Sequence, residues 1–192
     1  MIKTFSIAKI AQSLGLDMVL TFRPLGKQAK EIIISKISEL SSGDSINLDF
    51  HNIVLSDVSF DDEVAIEVQL YIRKRDNLLL FISNLAKDVY ENLEAALALR
   101  EHKYKQRIQI LNKTDDKFGL YSYIGSLEHN LHETFDLLKN GRQMTARDVA
   151  DEFNIEINSA SNRLKKLYDA GLLLRREQID TNGKSHIYYI IE

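Results

Sequence analysis

Histidine is the side chain best suited to bind a metal or move a proton near neutral pH, and the five here, His51, His102, His129, His132 and His186, are scattered. Only His129 and His132 stand at a spacing that shares a helix face, and two ligands do not complete a site. No His-Glu-x-x-His run occurs, and cysteine is absent, which excludes disulfides, zinc thiolates and thiolate catalysis. Oxygen donors gather at Asp57, Asp61, Asp62 and Glu63, the hard ligands that calcium or magnesium takes. Enrichment of acids at a helix start explains the same cluster through the helix dipole. The glycines form neither a P-loop nor a dinucleotide fingerprint. Serine, histidine and acid all occur, but a triad needs geometry that spacing does not supply. The expectation is a chain without catalytic residues, cofactor or metal.

The 192 residues fit one large domain or two modest ones. At 44% hydrophobic and 28% charged, the composition is that of a folded, water-soluble protein. No apolar run approaches the about 18 residues that cross a bilayer. The opening MIKTFSIAKIAQSLG lacks the apolar core and cleavage site of a secretory signal, so the cytoplasm is the expected compartment. A net charge of -3 argues against indiscriminate coating of nucleic acid. It says little against one small face that meets phosphates.

Elements come next. Thr4 to Ala8 and Met18 to Phe22 read as short strands around a turn at Leu14 to Asp17, with a helix over Ala8 to Leu14 as the alternative. From Gly26, Ala29, Ile32, Ile33, Ile37 and Leu40 recur at helical spacing, and Ser41-Ser42-Gly43-Asp44 ends the helix. Ser45 to Phe50 reads as a strand, and a helix from Ser59 carries Phe60, Val64, Ile66, Val68, Leu70 and Tyr71. Leu78 to Ile82 is continuously apolar, as in a strand buried on both faces. A helix over Ala86 to Glu101 and a strand near Ile108 to Leu111 complete the first unit. Alternation of helices and strands makes an α/β layer the economical arrangement. The polar run Asn112 to Lys117 is the expected junction.

Beyond it, Leu127, Leu131, Phe135 and Leu138 mark a helix from Gly125, either a dimer interface or core. Thr145 is a good N-cap with Asp148 at the capping-box position. The helix through Val149, Ala150 and Phe153 leads by a turn at Asn154 to Asn158 into another ending at Ala170-Gly171. Ile179 and Ile187 to Ile191 supply two arms of a hairpin with Asp180 to Lys184 at its tip. The string TARDVADEFNIEINSASNRLKKLYDAGLLLRRE, with the wing and aromatic return strand behind it, resembles winged helix-turn-helix regulators of the MarR and ArsR types. That resemblance covers about a quarter of the chain and implies binding of double-stranded DNA. It places Asn158, Ser159, Ser161, Asn162 and Arg163 at base edges of the major groove, and Lys165 and Lys166 near phosphates. Lys184, with His186, would reach the backbone or minor groove. Arg175 and Arg176 alternate on a strand, so only one of them faces DNA.

The run INLDFHNIVLSDVSFDDEVAIEV, with the order of elements around it, resembles the STAS fold and its STAS-like relatives over about residues 1 to 110. In anti-sigma-factor antagonists of that fold, a strand-end acid precedes a segment whose second serine is phosphorylated by a kinase partner. Asp49 matches the acid and Ser59 the serine, while Val58 and Phe60 depart from the pattern. A phosphate there would meet Asp57, Asp61, Asp62 and Glu63, and the plainer reading of Ser59 is an N-cap with Asp62 at the box position.

The combined expectation is an α/β fold: a STAS-like layer over residues 1–112, then a winged helix-turn-helix domain with its connecting helix over 120–192. Its function is DNA-binding regulation as a homodimer, with the first domain receiving a signal or a protein. The competing class is an adaptor that contacts a kinase-like or ATPase partner.

Overall fold

The computed structural model describes residues 1–116, 119–180 and 183–191, and it is a mixed α/β fold. The chain opens with β1 (Ile2–Ser6), whose last residue caps α1 (Ile7–Ser13) through a hydroxyl that accepts from the Lys9 amide at 3.4 Å. Of the two readings open for this stretch, the helix holds, because Ile7, Ile10 and Ala11 form one buried stripe. The second expected strand shrinks to β2 (Val19–Leu20), since the backbone leaves extended geometry at Phe22, φ 73°. Next, α2 (Arg23–Ile37) starts ahead of Gly26, with Pro24 in a first turn where its missing N–H is not needed. Gly26 lets α2 approach the following helix closely, for a Cβ there would lie 3.2 Å from Phe60 and Glu63 atoms.

After β3 (Ser45–Asp49) and β4 (Leu55–Ser56), the single helix expected from Ser59 is divided in three. It consists of α3 (Val58–Asp61), a π-helical turn (Asp62–Ile66) and α4 (Glu67–Ile72). Phe60, Val64, Ala65, Ile66 and Val68 are too closely spaced for one stripe of a 3.6-residue helix. The wider turn buries all five residues from Asp62 to Ile66. Then follow β5 (Leu79–Ser83), α5 (Lys87–Tyr104), β6 (Ile110–Asp116) and β7 (Gly119–Ile124).

One five-stranded sheet runs in the order β1-β3-β5-β6-β7, parallel except for the antiparallel last strand. This corrects the junction expected at Asn112 to Lys117. Asn112 and Lys113 pair with Ser122 and Tyr121 inside the sheet, and only Lys117 lies outside the described residues. Polar composition misled because an edge ribbon satisfies its backbone by pairing, whatever its side chains.

Alternation along β5 divides the interior in two. Leu80 and Ile82 face the layer of α1 to α5 with Ile46, Leu48, Phe60, Val64 and Leu93. Leu79 and Phe81 face the opposite way with Leu111 and Tyr121, against the carboxy-terminal helices. The uninterrupted apolar run of β5 is thus explained by cover on both faces. No helix among the described residues is long and apolar enough to cross a membrane.

The π turn carries charge into the first core. Arg100 pairs with Asp62 at 2.5 Å and with Glu67 at 2.5 Å. Arg23 pairs with Asp62 at 2.7 Å and Glu63 at 2.8 Å, and Lys30 with Glu63 at 2.5 Å. Burial works against the charged forms of Asp62 and Glu63, but hydrogen bonds from Arg100, Arg23 and Lys30 hold both below the usual carboxylate range. Asp61 has no such counter-charge. It is fully buried, takes one hydrogen bond from the Ser56 hydroxyl at 2.6 Å, and leaves Oδ1 without a partner among the described residues. Burial, reinforced by the charge of Asp57, pushes its carboxyl up to about 7.

Candidate nucleic-acid interface

Three helices and a two-stranded antiparallel ribbon follow the sheet: α6 (His129–Leu138), α7 (Ala146–Phe153), α8 (Ile157–Asp169), β8 (Leu174–Asp180) and β9 (Gly183–Tyr189). The Leu131, Phe135 and Leu138 stripe of α6 lies in the interior against the sheet, where Phe135 meets Tyr123 edge to face at 5.2 Å. The structure therefore spends that stripe as core and leaves it no role as a dimer interface. His129 and His132 sit on the outer side of α6 beside Glu133 and Asp136.

Thr145 and Asp148 form the full capping box of α7: the threonine hydroxyl accepts from the Asp148 amide, and the Asp148 carboxylate accepts from the Thr145 amide at 2.7 Å. Thr145→Ala is expected to lower unfolding stability by about 1 kcal/mol, read from the urea midpoint at constant slope. Asn154, in the left-handed region at φ 51°, ends α7, and α8 begins at Ile157 after Glu156. Glu156 makes no capping bond with its side chain. Asn158 and Ser159 lie in the first helical turn, and their side chains are exposed.

Asn158, Ser159, Ser161, Asn162, Lys165 and Lys166 all lie on the exposed side of α8, opposite the buried Ala160, Leu164 and Leu167. Arg163 does not belong with them. Its guanidinium sits 5.3 Å over the Phe153 ring and 3.5 Å from the Asn130 carbonyl, with only 19% of its side chain exposed. Helical rotation carries position 163 toward α6 and α7, so its role is to tie the three helices together. Spacing alone placed it with its polar neighbours.

The ribbon is fixed to the start of α7 by a bridge between Met144 and Tyr188, with bonds of 3.0 and 2.8 Å. Its register puts Arg175, Lys184, His186 and Tyr188 on one face and Arg176 on the other. Arg175 stacks over Tyr168 of α8 at 4.3 Å, while Arg176 hydrogen-bonds Gln143 at 2.6 Å. Of the expected tip, Thr181 and Asn182 lie outside the described residues. Between ribbon, α7 and α8 opens a groove of about 370 Å³, lined by Thr145, Arg147, Ile157, Ser161, Lys184 and His186 among others. Arg147 was missed in the sequence. It stands exposed in the first turn of α7, with no ion-pair partner among the described residues. Its position two residues after a strong N-cap was the available signal.

Charge on this face is balanced. From Gly141 to Glu192 the sequence holds eight Lys or Arg and eight Asp or Glu. Lys165 pairs with Asp169 at 2.5 Å, Lys166 with Glu128 at 3.3 Å, and Lys184 with Glu177 at 2.6 Å. The Lys184 hydrogen bond holds the Glu177 carboxyl below its usual range. Exposed pairs of this kind are each worth roughly 0–1 kcal/mol. A polyanion would compete for these cations at small cost, and the carboxylates left behind would lower its affinity.

Around Ser59 the structure corrects the N-cap reading. The N-cap is Asp57, which accepts from the amides of Phe60 at 2.7 Å and Phe22 at 2.9 Å. The Ser59 hydroxyl, half-buried, donates to Asp57 at 2.7 Å. Asp62 therefore is no box partner, being held by Arg23 and Arg100 instead. Burial opposes the Asp57 charge, yet the bonds from Ser59, Phe22 and Phe60 keep its pKa below the ordinary value. Asp57, Asp61, Asp62 and Glu63 point to four different sets of partners. Among the described residues no group of three or more His, Cys, Asp or Glu side chains converges as metal ligands do. At the end of β3, Asp49 accepts from Asn84 at 2.7 Å and from the His51 amide at 3.0 Å.

Compared with known proteins, the chain matches no family model, no curated protein and no solved structure.

Proposed function

We propose that this chain is a DNA-binding regulator whose carboxy-terminal part is a winged helix-turn-helix and whose first layer is a STAS-like domain that receives a signal or a protein. The observation that carries the reading is the order capped helix, turn, helix, ribbon, with an open groove between ribbon and helices. The polar side of α8 adjoins that groove, and Arg147, Lys184 and His186 stand at its walls. Asn and Ser side chains on a helix are suited to base edges, and the flanking lysines to phosphates. In this reading the protein acts by binding rather than catalysis, and pairs with a second copy on two half-sites.

The test is a titration of the intact chain against random and genomic duplex fragments at two salt concentrations. Saturable binding that weakens as salt rises is expected, with some fragments enriched. Folded protein that binds no duplex at low salt sinks the reading.

A second reading, an adaptor for a protein partner, has an observation of its own. Met18, Val19, Phe22, Val54 and Leu55 are large apolar side chains exposed around the small β2–β4 pair. Phe22 there is held at positive φ and is 66% exposed. In that reading a kinase-like or ATPase partner covers the patch next to Ser59.

A further inference from the structure

We propose that the last turn of α8 is a latch through which the first layer sets the orientation of that helix; its consequence for duplex binding rests on the function proposed above. The polar contacts from this end of α8 to the first layer run to one short segment, Gln69 to Asn77. Gln69 is fully buried. Its Nε2 donates to the Gln109 carbonyl at 2.9 Å and lies 3.4 and 3.5 Å from the carbonyls of Ala170 and Gly171. Its Oε1 is buried without a partner among the described residues. An apolar residue would fill the space without that desolvation cost. What the amide adds is the donor that joins α4, the start of β6 and the end of α8.

Four further hydrogen bonds repeat the pattern. Arg73 donates from Nε to the Asp169 carbonyl at 3.0 Å, satisfying one of the orphan carbonyls at the α8 terminus, where a cation also suits the helix dipole. The Tyr168 hydroxyl accepts from the Asn77 amide at 3.0 Å and donates to Asp76 at 2.9 Å. The Arg175 amide donates to the Asn77 side chain at 2.8 Å, so the start of β8 is fixed at the same place. Gly171, at φ +74°, makes the approach possible: a Cβ there would stand 2.8 Å from Gln69 Nε2 and 3.1 Å from Arg73 Cγ.

The segment that holds the latch continues directly from the π turn, whose carboxylates are gripped by Arg23 and Lys30 of α2 and Arg100 of α5. A displacement of α2 or α5 moves α4 and the segment behind it, and these carry the end of α8 and the start of β8 together relative to α7. The groove between them is where the duplex would sit. Gln69 and Arg73 are positioning residues in this scheme, since neither lines that groove.

Hydrogen exchange on the full chain tests this. The double variant Gln69→Met with Arg73→Met keeps the apolar stems and removes the donors. Amides of Gly171, Leu172 and the last turn of α8 are expected to exchange about tenfold faster or more. Asp148 and Val149 at the start of α7 should be unaffected. Unchanged exchange at the end of α8 overturns the latch. If the variant fails to fold, the unmodified chain decides. Exchange measured against denaturant should show amides of β5 and α8 opening together, and α8 opening alone at lower denaturant overturns the proposal. Duplex binding is read separately. A latch that loosens in a chain that never binds duplex leaves the inference standing and removes the DNA reading. A chain that binds duplex, with exchange unmoved, removes the latch alone.

Discussion

Changing Arg147, Lys165 and Lys184 together to glutamate is expected to weaken duplex binding by at least about a hundredfold at physiological salt. Each phosphate contact contributes about 0.9 to the slope of log K against log salt, or roughly fivefold in affinity near 0.15 M. Three contacts removed give about 10², and the new negative charges add repulsion. The salt slope should flatten by about 2.7. The fold should survive, because the pairs broken, Lys165 with Asp169 and Lys184 with Glu177, are solvent-exposed and weak. Arg163 is left out deliberately. Its position over Phe153 means that reversing it would disturb packing and confuse a loss of binding with a loss of structure. Competition titrations at three salt concentrations, beside thermal melts of both proteins, make the measurement. Affinity and slope unchanged in a folded variant would show that this face does not meet phosphates.

The second large effect concerns Asp61 and pH. Its folded value of about 7 stands above the ordinary 3.8, so between those values the native state holds a proton that the unfolded chain releases. Stability contributed by this group is therefore present in acid and lost as pH rises from about 4 to about 7. The size is on the order of 4 kcal/mol for a shift of about three units. Asp62, Glu63, Asp57 and Asp44 are shifted downward, and they act with the opposite sign in a different window. Their stabilisation is present above the ordinary carboxylate range and is lost below about 4 as each is protonated. Asp61→Asn keeps the Ser56 hydrogen bond and cannot ionise. Urea unfolding at pH 5, 6 and 8 should show the native chain losing stability across that range and the variant staying nearly flat. By pH 8 the variant should be the more stable of the two. Parallel curves for the two proteins would mean that Asp61 is not held neutral in the folded state.

These two outcomes separate what short-range reading reaches from what it does not. The sequence by itself determined the elements whose causes are local. The Thr145 box with Asp148 is a four-residue event, the α2 stripe repeats at helical spacing, and the apolar run of β5 announces a strand covered on both faces. The succession of α7, turn, α8 and ribbon followed from the same kind of evidence. Only the tertiary structure decided what depends on distant partners. Asn112 and Lys113 belong to a strand because Ser122 and Tyr121 pair with them. Asp62 is an ion-pair partner because Arg23 and Arg100, 39 and 38 residues away, reach it. Arg163 turned inward and Arg147 stayed exposed through helix rotation within a packed trio, which composition does not encode. Gln69 looks ordinary in its helix, and the carbonyls of Ala170 and Gly171 that it approaches lie 101 and 102 residues further on. Spacing along the chain reports geometry only over a turn or two of helix. Beyond that, which polar groups find partners is settled by packing.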